Sequence, residues 1–446
     1  MTETTFTIDA GFDRSRIWSG GDSVRHLVVR VRADGPEPQF DADRPALNIA
    51  LAIDASGSMS GGKLDAAKEA ALGFLDRLSA RDRLTIVSFA TDVQVHVDAL
   101  PVSPDNAVRI REEILSLRTR GMTCLSGGWF AAADRAARAA ESDAALTPRV
   151  IILSDGHANE GIRLRRELWH HAAELCRRGV LTSAFGIGDG YDEELLRGIA
   201  ENGGGRLHDA EFAYEIGAVL LGELDDILGT VLEKAQLDFT VPAGVHVEAF
   251  GTRTLEMVPG AEGGPRRLTL PIGAVQRGVE RRAVLKLTCP AAREGEELAV
   301  RIKASAQLTA EGVRRTAPTV TAALTAEGAS DNDAQERDEA RAEMVARAWS
   351  AHVVARAGRM NSRRAPADAK GYVEQELSFF RPYVTGLSCG DDLLRDLEVL
   401  ARRIGRQLSS RMQKELALQT TLAAENRRDR RGPGKQSWHD RLTPER

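Results

Sequence analysis

Hydrophobic and polar positions follow one pattern through residues 46–234. Nearly continuous apolar runs alternate with amphipathic helical segments, and such runs are typical of parallel strands covered on both faces. The predicted strands 83–89 and 93–99 are separated only by "ATD". Three residues are too short for a crossover, so this pair is predicted to be an antiparallel hairpin at a sheet edge. The predicted strands are 48–53, 83–89, 93–99, 149–154, 180–186 and 205–209, and the predicted helices are 63–79, 105–117, 127–141, 163–178, 192–202 and 213–234. The fold class predicted for 46–234 is therefore α/β, a doubly wound, mostly parallel sheet.

A second pattern flanks this region on both sides. Residues 235–326 contain short runs that alternate between apolar and polar positions, separated by Gly and Pro. This period of two indicates antiparallel strands with one solvated face. Residues 1–45 have the same character, but they hold too few strands for a stable core. We therefore predict one antiparallel β-sandwich shared by 1–45 and 235–326, with the α/β domain inserted between them.

Helical periodicity returns in the last third of the chain. The pattern predicts helices over 330–357 and from Pro366 to just before Pro382, and apolar residues recur every three or four positions over 393–416. We predict a helical region over 330–425, packed on itself or on the sandwich, with a partner-facing helix as the alternative. Residues 426–446 are highly charged and lack periodicity, which predicts a disordered tail.

Composition excludes some classes of function. The chain has 446 residues, with 60 basic and 65 acidic side chains, so nothing in its charge favours nucleic acid or a membrane surface. No run approaches the ~18 apolar residues of a membrane helix. The N-terminus shows no basic region followed by an apolar one, and the four cysteines are far apart. We expect a cytoplasmic protein with reduced thiols.

The loop after the first α/β strand admits a phosphate-binding interpretation. In "DASGSMSGGKL", Gly57, Gly62 and Lys63 fit the core of a Walker A motif. That motif needs Ser or Thr after its lysine, because the hydroxyl ligates the Mg²⁺ of the nucleotide. Leu64 stands there and continues the apolar stripe of the helix. We therefore expect Lys63 to be a surface residue whose replacement is nearly silent.

A metal-binding interpretation explains more of the same residues. Asp54, Ser56 and Ser58 leave the carboxyl end of one predicted strand, Asp155 leaves another, and Thr123 lies in a loop before a helix. In a doubly wound sheet these loops open at one edge. All the donors are oxygens, which suits a hard cation: Mg²⁺ first, with Mn²⁺ or Ca²⁺ as alternatives.

These motifs resemble, in order and spacing, a von Willebrand factor A domain with a metal-ion-dependent adhesion site, over about residues 46–230. The resemblance implies that the hydroxyls of Ser56 and Ser58 ligate the metal directly. It implies that Thr123 binds directly or through water, and that Asp54 and Asp155 often act through waters. A free coordination position then takes an Asp or Glu carboxylate from a partner. Cys124 stands where many bacterial relatives have Asn or Asp, and we expect it to pack beneath the loop.

The resemblance implies a binding function and no catalysis. The split sandwich resembles intracellular bacterial members of this family, some of which are linked to MoxR-type AAA+ ATPases or to kinase–phosphatase sets in stress and defence systems. The expected function is a metal-dependent adaptor that captures a protein partner. Two alternatives remain, an Mg²⁺-dependent phosphohydrolase or NTPase using the same loop, and a structural subunit whose metal only stiffens it. Further ligand contacts are predicted at Gly57, Met59, Gly156 and His157.

Overall fold

The computed structural model describes residues 4–35, 44–142, 146–251, 254–258, 264–309, 312–427, 429–431 and 438–442. The chain forms two compact units. The α/β unit comprises Glu37–Gly229 and Arg430–Lys435. The sandwich–helix unit comprises Met1–Pro36, Thr230–Asp429 and Gln436–Arg446. Within the described residues, none of the helices combines the length and the apolar character needed to cross a membrane.

The strands are β1 Thr5–Phe12, β2 Arg16–Trp18, β3 Ser23–Asp34, β4 Leu47–Asp54, β5 Arg83–Phe89, β6 Val93–Pro101, β7 Thr147–Ser154, β8 Leu181–Ile187, β9 Gly204–Ala210, β10 Thr230–Val241, β11 His246–Phe250, β12 Glu256–Val258, β13 Arg266–Gln276, β14 Arg281–Cys289, β15 Glu297–Leu308, β16 Arg314–Thr316 and β17 Val320–Glu327. The helices are α1 Lys63–Leu75, α2 Pro104–Ser116, α3 Leu125–Ser142, α4 Arg165–Arg177, α5 Glu193–Asn202, α6 Glu215–Leu228, α7 Ala329–Asp333, α8 Glu339–Ser362, α9 Pro366–Val384, α10 Gly390–Arg403, α11 Ser410–Ala424 and α12 Trp438–Leu442.

The α/β unit is built on a sheet of order β6-β5-β4-β7-β8-β9. All neighbouring pairs are parallel except β5 and β6, which form the predicted antiparallel edge hairpin. Helices α1, α2 and α6 contribute to the core on one face, and α3, α4 and α5 contribute to the core on the other. Since both faces are covered, β4 is buried along its whole length. The predicted doubly wound α/β fold is confirmed.

The sandwich–helix unit contains two sheets in which neighbouring strands are antiparallel, as predicted, except that β2 runs parallel to β17. One has the order β1-β3-β14-β11, and the other has the order β12-β13-β10-β15-β17-β2 with β16 beside β15. The N-terminal strand β3 pairs with both β1 and β14, so residues from before and after the α/β segment of the chain share a sheet. Side chains such as Leu27, Phe239 and Ile302 from the two sheets form one core.

Helices α8, α9, α10 and α11 share a core that includes Val353, Phe380 and Leu400. A smaller apolar cluster joins Val345 of α8 to Val28 and Val284 of the sandwich. The helical region therefore packs on itself and on the sandwich, as its apolar stripe indicates.

Several predicted boundaries are wrong. The helix predicted over 213–234 ends at Leu228, because residues 230–241 form β10 and place Leu232 and Ala235 in the sandwich core. The helix predicted over 330–357 is divided into α7 and α8, because the side chain of Asp338 caps a new helix by accepting from the N–H of Arg341. Pro382 lies inside α9, in its last turn.

The apolar stripe over 393–416 also belongs to two helices. Helix α10 ends at Arg403, and α11 begins after Ser409, whose side chain accepts from the N–H of Met412 as an N-cap. The apolar stripe therefore predicted correctly that these residues share a core, but it did not show that a turn divides them into two helices.

The prediction of a disordered tail is also wrong for part of 426–446. Trp438 and Leu442 are buried in the helical core as part of α12. In the α/β unit, Arg431 is buried and forms an ion pair with Asp209 at 3.2 Å. These residues of the tail therefore have buried contacts, which the charged, aperiodic sequence did not indicate. Residues 428, 432–437 and 443–446 lie outside the described residues.

Candidate metal site

The predicted donors come from loops at one edge of the α/β sheet. Asp54 is the last residue of β4, and Asp155 directly follows the end of the neighbouring parallel strand β7. Adjacent parallel strands end side by side, so the two loops that leave them must meet. Main-chain bonds fix a third loop: the N–H of Gly57 donates to the carbonyl of Gly121 at 3.1 Å. This brings the segment that carries Thr123 to the same place.

Hydrogen bonds join the donors of the first two loops. Ser154 Oγ donates to Asp54 Oδ2 at 2.6 Å, and the N–H of Ser56 donates to Asp54 Oδ1 at 2.9 Å. The hydroxyls of Ser56 and Ser58 share a hydrogen bond of 3.0 Å, and Ser58 Oγ donates to Asp155 Oδ1 at 2.7 Å. The structure therefore brings Asp54, Ser56, Ser58 and Asp155 into one connected cluster.

Thr123 completes this cluster on the side of Gly156. A Cβ built on Gly156 would lie 3.6 Å from both Ser58 Oγ and Thr123 Oγ1, so the two hydroxyls flank the same glycine. Thr123 is buried, and its carbonyl accepts from the N–H groups of Asn159 and Glu160 at 3.0 and 3.1 Å. The segment after β7 therefore holds the Thr123 loop in place.

The cluster contains two buried carboxylates and mostly neutral donors. Burial raises the pKa of Asp54, the bonds from Ser154 and Ser56 oppose that rise, and the charge of Asp155 adds to it. Within the described residues, no three His, Cys, Asp or Glu side chains are grouped to hold a metal. The possible ligands therefore depend on hydroxyls, and an oxygen-only set of this kind fits a hard divalent cation.

Lys63 belongs to the site, so the prediction that it is an uninvolved surface residue is wrong. Its Nζ contacts Asp155 Oδ2 and donates to the carbonyl of Ser58 at 3.2 Å, with a third of the side chain exposed. Leu64 is buried in the core, and the loop therefore lacks the hydroxyl of a Walker A motif. The available signal for Lys63 was its place on the same loop as Ser58, at the start of a helix.

Ser154 was also missed at the sequence level. It ends β7 and binds Asp54, which leaves β4. The signal was the hydroxyl directly before Asp155 in "LSD". Its contact with Asp54 requires knowledge that β4 and β7 are neighbours, which the sequence alone does not give.

The additional predicted contact residues differ in exposure. Gly57 and His157 are exposed and Gly156 is half-buried, so all three are accessible. Met59 is fully buried in the core, and the prediction that it contacts a ligand is therefore wrong. Met59 directly follows the exposed Ser58, and its side chain points into the core instead of towards the loop surface. Cys124 packs as expected, since a Cβ at Gly127 or Gly161 would approach its Sγ to 3.0 Å.

The sequence of the α/β unit matches a known family. A profile of the von Willebrand factor type A domain matches residues 48–218. The chain contains a von Willebrand factor type A (VWA) domain. The VWA domain is a protein-interaction module in many proteins.

Relatives of this VWA domain are found in bacteria and vertebrates. An uncharacterised protein of Synechocystis sp. is 30% identical over 185 residues, which cover 42% of each chain. The inter-alpha-trypsin inhibitor heavy chain H3 of Rattus norvegicus is 26% identical over 198 residues, which cover 43% of this chain and 22% of that protein. The chain thus spans less than half the length of either relative.

The likeness to solved structures extends beyond the VWA domain. The structure titled von Willebrand factor type A from Catenulispora acidiphila covers 96% of this chain and 97% of its own, with a TM-score of 0.65. At 17% sequence identity this likeness concerns the fold alone. The combination of a VWA domain with flanking sheets and C-terminal helices therefore occurs in another protein.

Proposed function

We propose that the VWA domain is a metal-dependent protein-binding adaptor that captures an Asp or Glu carboxylate of a partner. The observation that carries this proposal is the hydrogen-bonded cluster of Asp54, Ser56, Ser58 and Asp155 at an accessible sheet edge, with Thr123 beside it. A divalent cation, Mg²⁺ first and Mn²⁺ or Ca²⁺ as alternatives, would supply a positive charge with an open coordination position.

Each residue of the cluster has a role that its contacts support. The hydroxyls of Ser56, Ser58 and Thr123 are neutral donors that would hold a hard cation without neutralising it. Asp54 shapes the loop, because one of its oxygens accepts from a loop N–H and the other from Ser154. Asp155 orients the side chain of Ser58 by accepting a hydrogen bond from its hydroxyl. A cation held mostly by hydroxyls keeps its attraction for an anionic oxygen from a partner.

The surroundings of the cluster favour a protein partner over a small substrate. The neighbouring Met122 is half-exposed, and His157 extends into solvent beside the loop. An apolar and a polar side chain beside the cation position would let a partner surface contact both. We assign no catalytic residue, and we infer that the partner belongs to a multi-protein stress, signalling or defence system, for example a MoxR-type AAA+ ATPase or a kinase or phosphatase.

The test uses a pair of neighbouring serines. The full chain is immobilised and exposed to cytosolic extract of the source organism in Mg²⁺ or in EDTA. A specific partner should be retained in Mg²⁺ and lost in EDTA and with Ser58→Ala. Ser60 is exposed two residues further along the same loop, so Ser60→Ala is the matched control and should retain the partner.

Two results would favour the alternatives. Mg²⁺ binding without any metal-dependent partner would support a purely structural ion. Phosphate release from ATP that disappears with Ser58→Ala would support the phosphohydrolase. Retention of the same partner in EDTA would contradict the proposal.

A further inference from the structure

Lys63 places a positive charge on the candidate metal site. Its Nζ contacts Asp155 Oδ2, while Asp155 Oδ1 accepts from Ser58 Oγ. The same ammonium donates to the main-chain carbonyl of Ser58. The Asp155 side chain is fully buried, and the ammonium of Lys63 is in direct contact with it.

The position of Lys63 at the start of α1 is unfavourable for a cation that has no anionic partner. Lys63 is the first residue of the helix, where the free N–H groups carry positive partial charge and a cation is disfavoured. The contact with Asp155 offsets that repulsion. Gly188 lies beside the lysine, since a Cβ built there would be in ordinary van der Waals contact with Lys63 Cε, at 3.7 Å. The local structure therefore accommodates this side chain over the carboxylate.

We propose that Lys63 is a tethered counter-cation that competes with the divalent ion for Asp155 and so sets the metal affinity of the site. This inference rests on the proposed function, because it concerns the same site. The hydroxyl of Ser58 binds Asp155 and lies 3.0 Å from that of Ser56. An ion held by these hydroxyls and attracted by Asp155 would therefore be repelled by the nearby ammonium.

Competition of this kind has a functional consequence. The lysine neutralises one buried carboxylate whenever the ion leaves, so ion release does not leave two uncompensated negative charges. It also keeps the affinity for the ion below the level that the oxygen donors alone would give. The ion is then exchangeable and can report changes in cation concentration to the partner-binding surface.

The experiment measures Mg²⁺ and Mn²⁺ binding to the full chain by calorimetry. Lys63→Met keeps the length of the side chain and removes its charge, and we expect at least tenfold tighter binding. Lys63→Arg keeps the charge and should remain within about threefold of wild type. Lys68→Met is the matched control, because Lys68 lies in the same helix and pairs with the exposed Asp65 at 3.4 Å. Its metal affinity should equal that of wild type.

Thermal unfolding supplies a second readout. In EDTA, Lys63→Met should melt below wild type, since Asp155 loses its counter-cation, whereas the increase in Tm on addition of Mg²⁺ should be larger than in wild type. A lysine with only a structural role would lower the Tm in EDTA and leave the metal Kd unchanged. That result would overturn the inference.

The outcomes also separate this inference from the proposed function. If wild type and Lys63→Met bind the metal with equal affinity, or the variant binds more weakly, the inference fails and the proposed function stands. If only Lys63→Met binds the metal, the counter-cation is supported and the metal-dependent function of the natural chain fails. If neither binds, both are wrong.

Discussion

Two fully buried aspartates lie at opposite ends of the neighbouring parallel strands β4 and β5, and they differ in the charge of their hydrogen-bond partners. Asp54 ends β4, whereas Asp82 directly precedes β5 and accepts from the N–H of Leu47, the first residue of β4, at 2.7 Å. Both belong to the VWA domain and both neighbour a loop. The comparison therefore isolates the effect of the partners that each carboxylate has.

The partners of Asp82 include a fixed cation. Arg44 donates to both of its oxygens, at 2.8 and 2.5 Å, and the N–H of Ser79 donates at 2.8 Å. Burial alone would raise the pKa of Asp82, but the guanidinium and the main-chain N–H groups hold it below its ordinary value of 3.8. The charge of this aspartate is therefore compensated within the fold.

The partners of Asp54 are neutral. Burial raises its pKa, the bonds from Ser154 and Ser56 reduce that rise without removing it, and Asp155 adds to it. The guanidinium of Arg44 compensates the charge of Asp82 within the fold. Asp54, which is held by hydroxyl and N–H donors, keeps negative charge that an external cation can neutralise. This difference distinguishes a structural acid from a candidate metal site in the same domain.

The largest effect is expected from Asp82→Asn. The change keeps the side-chain shape but removes the charge that pairs with Arg44, and breaking a buried pair typically costs about 3–5 kcal/mol. The free energy of unfolding of the α/β unit should fall by about that amount, equally in Mg²⁺ and in EDTA. Hydrogen exchange of the β4 and β5 amides in the full chain measures it.

An exposed pair provides the control for Asp82→Asn. Asp76 pairs with Arg111 at 2.6 Å with more than half of the carboxylate side chain exposed, so Asp76→Asn should change the free energy of unfolding by less than about 1 kcal/mol. Equal effects of the two substitutions would contradict the claim that Arg44 compensates a buried charge.

The corresponding substitution at the carboxyl end of β4, Asp54→Asn, should have a different result. Asp54→Asn removes a charge whose pKa is raised, so the free energy of unfolding in EDTA should stay the same or rise. The stabilisation by Mg²⁺, about 2.7 kcal/mol at a hundredfold excess over Kd, should be lost. Thermal unfolding in EDTA and in Mg²⁺ measures both effects.

Asp65→Asn is the control for Asp54→Asn, because Asp65 lies in α1 with its side chain largely exposed. It should keep the whole Mg²⁺ stabilisation. An Asp54→Asn protein that still gains stability from Mg²⁺ would show that the ion binds elsewhere.

The sequence predicted those features that depend on local pattern. Continuous apolar runs such as "LNIALAI" indicated buried parallel strands, and the positions of Asp54 and Asp155 after two such runs placed them at one sheet edge. The spacing Asp54, Ser56, Ser58 grouped the hydroxyls correctly, because they lie within one short loop.

Features that depend on distant residues were not predictable from the pattern. The bond between Arg44 and Asp82 and that between Ser154 and Asp54 require the order of the strands in the sheet. Lys63 has the pattern of a surface residue, and its contacts with Asp155 and with the carbonyl of Ser58 show its connection to the site. The end of α6 was missed because residues 230–234 fit either a helix or a strand, and pairing with β13 decided the outcome.

The smallest effect is expected from pH, and it tests the same contrast. Since the pKa of Asp82 is lower in the folded protein than its ordinary value of 3.8, its contribution to stability is fully present above that value and is lost as the pH falls through the folded pKa. Each unit of difference corresponds to about 1.4 kcal/mol. The gap in free energy of unfolding between wild type and Asp82→Asn should therefore be constant at neutral pH and shrink in acid. Urea unfolding of both proteins in EDTA between pH 2 and 7 measures this gap. A gap that grows on acidification would mean that the carboxylate of Asp82 is destabilised in the fold, as that of Asp54 is, and the distinction between the two edges would fail.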